Sequence, residues 1–282
     1  MGTLLTTPVL TDKQFEKISS LVYEICGINL HVGKKQLANS RLSKRLRILG
    51  MSAFDEYLEY LAGNPQEVID MLDAISTNLT SFFREPQHFD HLSKVIIPRL
   101  VSERGRDAHR RLRIWSAACS SGEEPYTIAI VIKREIEDLD RWDAAVLATD
   151  INTRMLETGK RGEYEETRLK TVPPAVRQLY FDCIVPKKPR RYKVKPEIRK
   201  LVAFARLNLL EDWPMRGKFD VIFCRNTMIY FDKPTQSRLV NRYYEKLNKG
   251  GTLFIGHSES LTGIKHQFKY IKPTVYEKAR AE

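Results

Sequence analysis

The chain has 282 residues, 42% of them hydrophobic, which is enough to bury the core of one large domain or two modest ones. No apolar run approaches the roughly 18–20 residues that span a bilayer, and the start MGTLLTTPVLTDKQFEK turns polar without a basic n-region, so neither a membrane insertion nor a signal peptide is expected. The formal net charge of +12 points to an acidic partner: nucleic acid, an anionic membrane surface or an acidic protein.

Residues 11–75 read as helical throughout. Thr11-Asp12 supplies an N-cap ahead of Phe15, Ile18, Leu21, Val22 and Ile25 at helical spacing, and Gly27 stops the helix. A second helix is expected over 35–48, apolar at Leu37, Leu42, Leu46 and Leu49 and closed by Gly50. A third starts at a Ser52 cap and carries Phe54, Tyr57, Leu58 and Leu61 on one face. Pro65 opens a fourth, with Val68, Ile69, Leu72 and Ile75. These helices make an N-terminal domain over 1–75, with a linker over 76–90. Met1-Gly2 is a poor match to a myristoylation signal.

From about residue 112 the texture changes to short apolar runs followed by turns and helices. RLRIWSAA leads to PYTIAIVIKREIEDL, and AAVLATD ends in Asp150 before NTRMLETGKRG. KLVAFARLNLL follows, then FDVIFCRN (219–226) with its helix PTQSRLVNRYYEKLNKG, then GTLFIGHSE and a last strand in TVYEKA. Such a series predicts an α/β, doubly wound Rossmann-like sheet over 91–282, with binding loops at the carboxyl ends of the strands. One stretch interrupts it. Between 187 and 200 eight lysines and arginines face Glu197 alone, and 180–203 reads as a small β-subdomain or a solvated basic loop.

Four cysteines, at 26, 119, 183 and 224, show no CxxC spacing and read as reduced thiols of a cytoplasmic protein. His88 and His91 lie one helical turn apart with no third ligand nearby, and are expected to be half-exposed helix residues. No metal is expected.

The turn WSAACSSGEEPYTIA (115–129) carries Gly122 but lacks the G-x-G-x-x-G set that lets a pyrophosphate approach, and no P-loop is present. The second strand still ends in an acid, Asp150, placed to accept from ribose hydroxyls. A ribose acid with a reduced glycine turn favours a nucleoside ligand without bridging phosphates. S-adenosylmethionine fits, and Glu123 would suit its positive methionine end.

Four segments go further. TNLTSFFRE (77–85), SAACSSGEEPY (116–126), FDVIFCRNTMIYFD (219–232) and GGTLFIGHSESL (250–261) together resemble the CheR family, the bacterial chemotaxis protein-glutamate O-methyltransferases. The resemblance implies a methyltransferase domain with an inserted β-subdomain and an all-helical N-terminal domain. It also implies methyl transfer from S-adenosylmethionine to glutamates on chemoreceptor signalling helices. By the same resemblance Asn78, Thr80 and Arg84 would line the cofactor from the linker, and Glu123 would contact its methionine portion. Asp150 would hold the ribose, Asn208 and Leu209 would flank the adenine, Arg225 and Asn226 would close the site, and Tyr230 would lie near the methyl with Arg84. Each has a plainer alternative: Asn78 and Thr80 as helix caps, Glu123 as a first-turn acid, Tyr230 as core.

A glutamate carboxylate, with a reference pKa of about 4.3, is already a nucleophile at neutral pH, so no general base is required. Arg84 is expected to steer it and Tyr230 to orient it. The helix GKKQLANSRLSKRLRILG brings Arg41, Lys44, Arg45 and Arg47 close together as an expected docking face for an acidic receptor helix. A nucleic-acid methyltransferase is the rival enzyme reading, weakened because RNTMIYF has no Asn/Asp-Pro-Pro-aromatic run. A binding protein without catalysis is the other. A monomer is expected.

Overall fold

The computed structural model describes residues 8–105 and 110–280; the Met1-Gly2 pair considered for myristoylation lies outside them. Four helices come first: α1 (Asp12–Cys26), α2 (Lys35–Leu49), α3 (Phe54–Gly63) and α4 (Pro65–Ile75). Thr11 and Gln14 form a reciprocal capping box at the start of α1, and Gly27 ends it with φ 70°. Helix α3 begins at Phe54 after Ala53, so Ser52 is not its cap. Burial of Phe54, Tyr57 and Leu61 on one face holds it instead. The four helices share one apolar cluster, centred on Ile18, Val22, Leu42, Leu46, Tyr57 and Met71.

A bend over 76–85 leads into α5 (Pro86–His91), a π-helical turn (Leu92–Ile96) and α6 (Ile97–Arg104). The sequence marks only His88 and His91 as helix residues here and bounds no helix. Pro86 and Pro98 break the periodic pattern, yet both occupy first-turn positions, where a missing N–H is tolerated.

The remainder runs β1 (Arg110–Ala117), α7 (Glu123–Glu135), β2 (Trp142–Asp150), α8 (Thr153–Arg161), β3 (Glu163–Glu165), α9 (Pro174–Tyr180), β4 (Phe181–Val185), β5 (Arg191–Val194), α10 (Pro196–Arg199), β6 (Val202–Arg206), β7 (Phe219–Cys224), α11 (Lys233–Lys246), β8 (Leu247–Ile255), β9 (Lys269–Lys272) and β10 (Val275–Glu277). The main sheet has the order β6-β2-β1-β7-β8-β10-β9. Its first five strands are parallel, and β10 and β9 add antiparallel. The α/β doubly wound class is therefore as expected, with β9 an unforeseen edge.

A second sheet, β3-β5-β4, is the basic excursion. It starts earlier than the expected 180–203, because Tyr164 of β3 pairs with Tyr192 of β5. It also ends earlier, since Val202 and Ala203 belong to β6 in the main sheet. The carboxyl ends of β1, β2, β6 and β7 fall at 117, 150, 206 and 224, and the loops that follow them make one wall of a cleft.

Candidate active site

The cleft lies between the helical unit and these strand ends. One wall comes from Cys26, Lys34, Leu37, Arg41 and the bend 75–84; the other from 118–120, Glu124, 150–151, 207–209, 225–227 and 230–231. It is an open-mouthed cleft whose space, with the solvent-filled mouth counted, is about 1260 Å³.

Asp150, the last residue of β2, is 6% exposed. Its carboxylate accepts from the backbone N–H groups of Ser120 (2.7 Å) and Asn152 (2.8 Å). Burial raises its pKa to about 6, against those N–H groups, which favour the ionised form. The β1 turn reaches Asp150 through strained backbone: Ala118 and Ser120 are both left-handed, at φ 61° and 50°. Gly122 serves protein packing rather than a ligand. A Cβ there would meet the Cα of Gly159 at 2.9 Å and the Tyr164 hydroxyl at 2.9 Å.

The two glutamates of GEEP part company, and the expectation for Glu123 is corrected. Glu123 is fully buried away from the cleft. Its Oε1 lies 2.9 Å from Arg168 Nη2, and its Oε2 accepts from Ser121 Oγ at 2.7 Å. Arg168 also donates to that Ser121 hydroxyl, so the group ties α7 to the segment ahead of α9. It is Glu124 that lines the cleft, accepting from Ser116 Oγ (2.7 Å) and Arg225 Nη1 (2.9 Å). Burial raises the pKa of both glutamates, opposed at Glu123 by Arg168 and at Glu124 by Arg225.

The other expected residues all line this cleft: Asn78, Thr80, Arg84, Asn208, Leu209, Arg225, Asn226 and Tyr230. Their side chains are not all free. Arg225 pairs with Glu124 and with Glu85 (3.0 Å) and donates to the Arg84 carbonyl, bracing the bend against β7. Asn208 donates to the Ile25 carbonyl at the end of α1 (2.6 Å) and to Glu211 (3.0 Å). Asn78 donates to Ser76 Oγ, and its own carbonyl accepts from Ser120 Oγ; neither it nor Thr80 caps a helix. Asn226 is left-handed at φ 57°, and a Cβ on Gly256 would lie 2.5 Å from its Nδ2, so that glycine is required. Arg84 donates to the Leu79 carbonyl (2.8 Å), and the Lys34 ammonium sits 4.9 Å from the Tyr230 ring centre.

The basic helix α2 does not present the expected face. Arg45 is 8% exposed and bonded to Glu67, itself 5% exposed, and to Asp70 (3.1 Å). Arg41 turns into the cleft and donates to the carbonyls of Ile75 and Ser76 (2.8 Å to the latter). Only Lys44 and Arg47 of the four are exposed. Arg41 and Arg45 each stand about 100° of helix rotation from the next residue, Leu42 and Leu46, so periodicity alone does not separate them from Lys44 and Arg47.

His88 is also corrected: it is buried, with its Nε2 2.7 Å from Thr274 Oγ1, whereas His91 is partly exposed. Two residues escape sequence reasoning. Lys34 precedes α2 with no motif to mark it. Glu259 accepts from the backbone N–H of Asn226 (2.9 Å), Thr227 (2.8 Å), Ile229 (3.3 Å) and Gly256, and so shapes the loop that carries Tyr230.

The lining suits S-adenosylmethionine. Asp150 has acceptor capacity left for a ribose diol, apolar Ile151, Leu207 and Leu209 can enclose a flat base, and Glu124 places negative charge in the wall. Comparison with known proteins agrees. The family described as "CheR methyltransferase, SAM binding domain" matches residues 78–277, and "CheR methyltransferase, all-alpha domain" matches 13–76. The chain is 42% identical to the "Probable chemotaxis protein methyltransferase" of Rhizobium etli over 91% of its length and 96% of that protein's. It is 41% identical to the "Chemotaxis protein methyltransferase" of Borreliella burgdorferi, covering 95% of each, and 38% identical to that of Escherichia coli, covering 95% and 91%. The chain belongs to the CheR methyltransferase family, an S-adenosylmethionine-binding domain joined to an all-α domain.

Proposed function

We propose that the protein methylates glutamate side-chain carboxylates of chemoreceptors, forming methyl esters in the acidic methylation helices of their cytoplasmic parts. The observation that carries this reading is the charge at the cleft. Lys34, Arg41 and Arg84 all line it, and among the described residues none pairs with a carboxylate. Arg225, the fourth cation, is already matched by Glu124 and Glu85. Three uncompensated cations beside a methyl-donor site fit an anionic acceptor and would disfavour a cationic amine.

S-adenosylmethionine, when bound, supplies an electrophilic methyl group on a sulfonium. The chain's own residues then need only bind, align and dehydrate. Asp150 accepts from the ribose hydroxyls, with Asn78 and Thr80 on the bend and Leu209 at the base. Asn208 holds that wall through the end of α1, and Asn226 holds the loop bearing Tyr230. Arg84 steers the incoming carboxylate and Tyr230 orients it, so the rate comes mainly from alignment and exclusion of water. No general base is required. None of the small residues of the β1 turn is poised as a nucleophile: Cys119 is buried, and burial pushes its thiol well above the ordinary range.

The test is methyl transfer from labelled cofactor to receptor-containing membranes and, separately, to RNA. Glutamate esters release their label as methanol in mild alkali. Label that stays on protein through alkali, or that goes to RNA, would refute the reading.

A further inference from the structure

Beside the cleft, on the far side of Arg225, Glu85, His88 and His257 converge. One donor atom from each lies within 4.8 Å of the others. His88 Nδ1 is 3.5 Å and His257 Nε2 is 3.8 Å from the same oxygen, Glu85 Oε2.

The surroundings of His88 favour one tautomer. Thr274 Oγ1 donates its hydrogen to the Pro273 carbonyl at 2.6 Å. With its hydrogen used there it accepts at its 2.7 Å contact with His88, and in that tautomer Nε2 carries the ring hydrogen. That leaves Nδ1 as a bare lone pair, in a side chain 1% exposed and with no hydrogen-bond partner. It faces a carboxylate oxygen, another acceptor. Two acceptors at 3.5 Å in a buried place repel unless a cation lies between them.

We propose that Glu85, His88 and His257 form a binding site for one zinc-class divalent ion. A neutral imidazole whose other nitrogen donates to an oriented acceptor is how metal-binding histidines are commonly held. Two nitrogens and one carboxylate oxygen suit this class, with a fourth position left for water. Donors about 2.1 Å from a tetrahedral ion stand about 3.4 Å apart. The 3.5 Å pair already meets this; the 3.8 Å pair and the histidine pair, within 4.8 Å, would close by rotation of His257, whose side chain is 48% exposed.

The carboxylate is shared. Glu85 also accepts from Arg225 on Oε2, and from Asn226 Nδ2 and the His257 backbone N–H on Oε1 (3.2 Å each). The Arg225 charge opposes a second cation and weakens its binding. Bound there, the ion would pin the segment just after Arg84 to the loop after β8. The inference does not depend on which acceptor is methylated.

The experiment is calorimetric titration of the full chain with Zn²⁺, with Co²⁺ absorption as the report on ligand type. One ion per chain, weakened at least about tenfold in His257→Gln, with a cobalt spectrum free of thiolate charge transfer, is the expected result. Without metal the variant should melt with the wild type, and Zn²⁺ should raise the melting temperature of the wild type alone. No binding up to millimolar Zn²⁺, binding unchanged in His257→Gln, or a thiolate band marking a cysteine site would each overturn the proposal.

Discussion

Arg45 offers the sharpest separation between a docking charge and a structural one. Its guanidinium meets Glu67 through Nε (3.0 Å) and Nη2, and reaches Asp70 at 3.1 Å. Tyr57 donates to the same Glu67 carboxylate at 2.8 Å. Burial and that carboxylate both raise the Tyr57 pKa, so the hydroxyl stays protonated and the negative charge of Glu67 is answered chiefly by Arg45. Arg45→Met strips the partner from a carboxylate that is 5% exposed. Breaking one side of such a pair costs about 3–5 kcal/mol, a large share of the ~5–15 kcal/mol of a typical domain. The double variant Arg45→Met/Glu67→Met removes both charges and should cost under about 2 kcal/mol, chiefly the stranded Tyr57 hydroxyl. Urea unfolding followed by far-ultraviolet circular dichroism measures all three proteins. Lys44→Glu/Arg47→Glu, by contrast, should leave stability within about 0.5 kcal/mol and raise the receptor KM, more so at low salt. If Arg45→Met unfolds like the wild type and raises KM instead, Arg45 is a surface docking residue and the buried pair is not the organising contact of the helical unit.

Arg84→Ala should lower kcat about a hundredfold while S-adenosylhomocysteine affinity changes little; equal losses in both would make Arg84 a cofactor contact only. Glu124→Gln should weaken S-adenosylmethionine about five- to tenfold more than its product, which lacks the sulfonium charge, whereas Glu123→Gln should not discriminate between them; calorimetry on both ligands would expose the reverse assignment. Asp150 ionises near pH 6, and its acceptor form is the carboxylate. Product affinity should therefore hold above that pH and fall by up to about tenfold per unit below it. Asp150→Asn should show a flat profile, and a flat wild-type profile between about pH 7.5 and 5 would show that the carboxylate does not meet the ribose.

Strand ends were readable because parallel strands buried on both faces are continuous apolar runs, and Asp150 stands out as the polar residue that closes one. Side-chain direction was harder. Glu123 and Glu124 are neighbours in the first turn of α7, separated by about 100° of helix rotation. Which of them faces the cleft depends on Arg168 and Arg225, cations far away in the sequence. The same limit applied to α2, where four cations looked alike until Glu67 and the α4 carboxyl end claimed Arg45 and Arg41. Residues whose role is to receive backbone N–H groups, such as Glu259, carry no periodic signal at all.

Thr153 and Asn152, at the start of α8, bond to Asp73 of α4: Thr153 N–H and hydroxyl to its carboxylate (2.9 and 2.6 Å), and Asn152 Nδ2 to its carbonyl (3.0 Å). Across the cleft Asn29 N–H bonds to the Tyr230 carbonyl (2.9 Å) and Asn208 to the Ile25 carbonyl. The all-α unit is thus fastened at both rims of the opening it helps to enclose. Exchanging it for a relative's would therefore replace one wall of the cleft as well as the surface of the helical unit. A folded hybrid would have to carry these joints with it: Asp73 to the start of α8, Ile25 to Asn208 and Asn29 to the Tyr230 carbonyl.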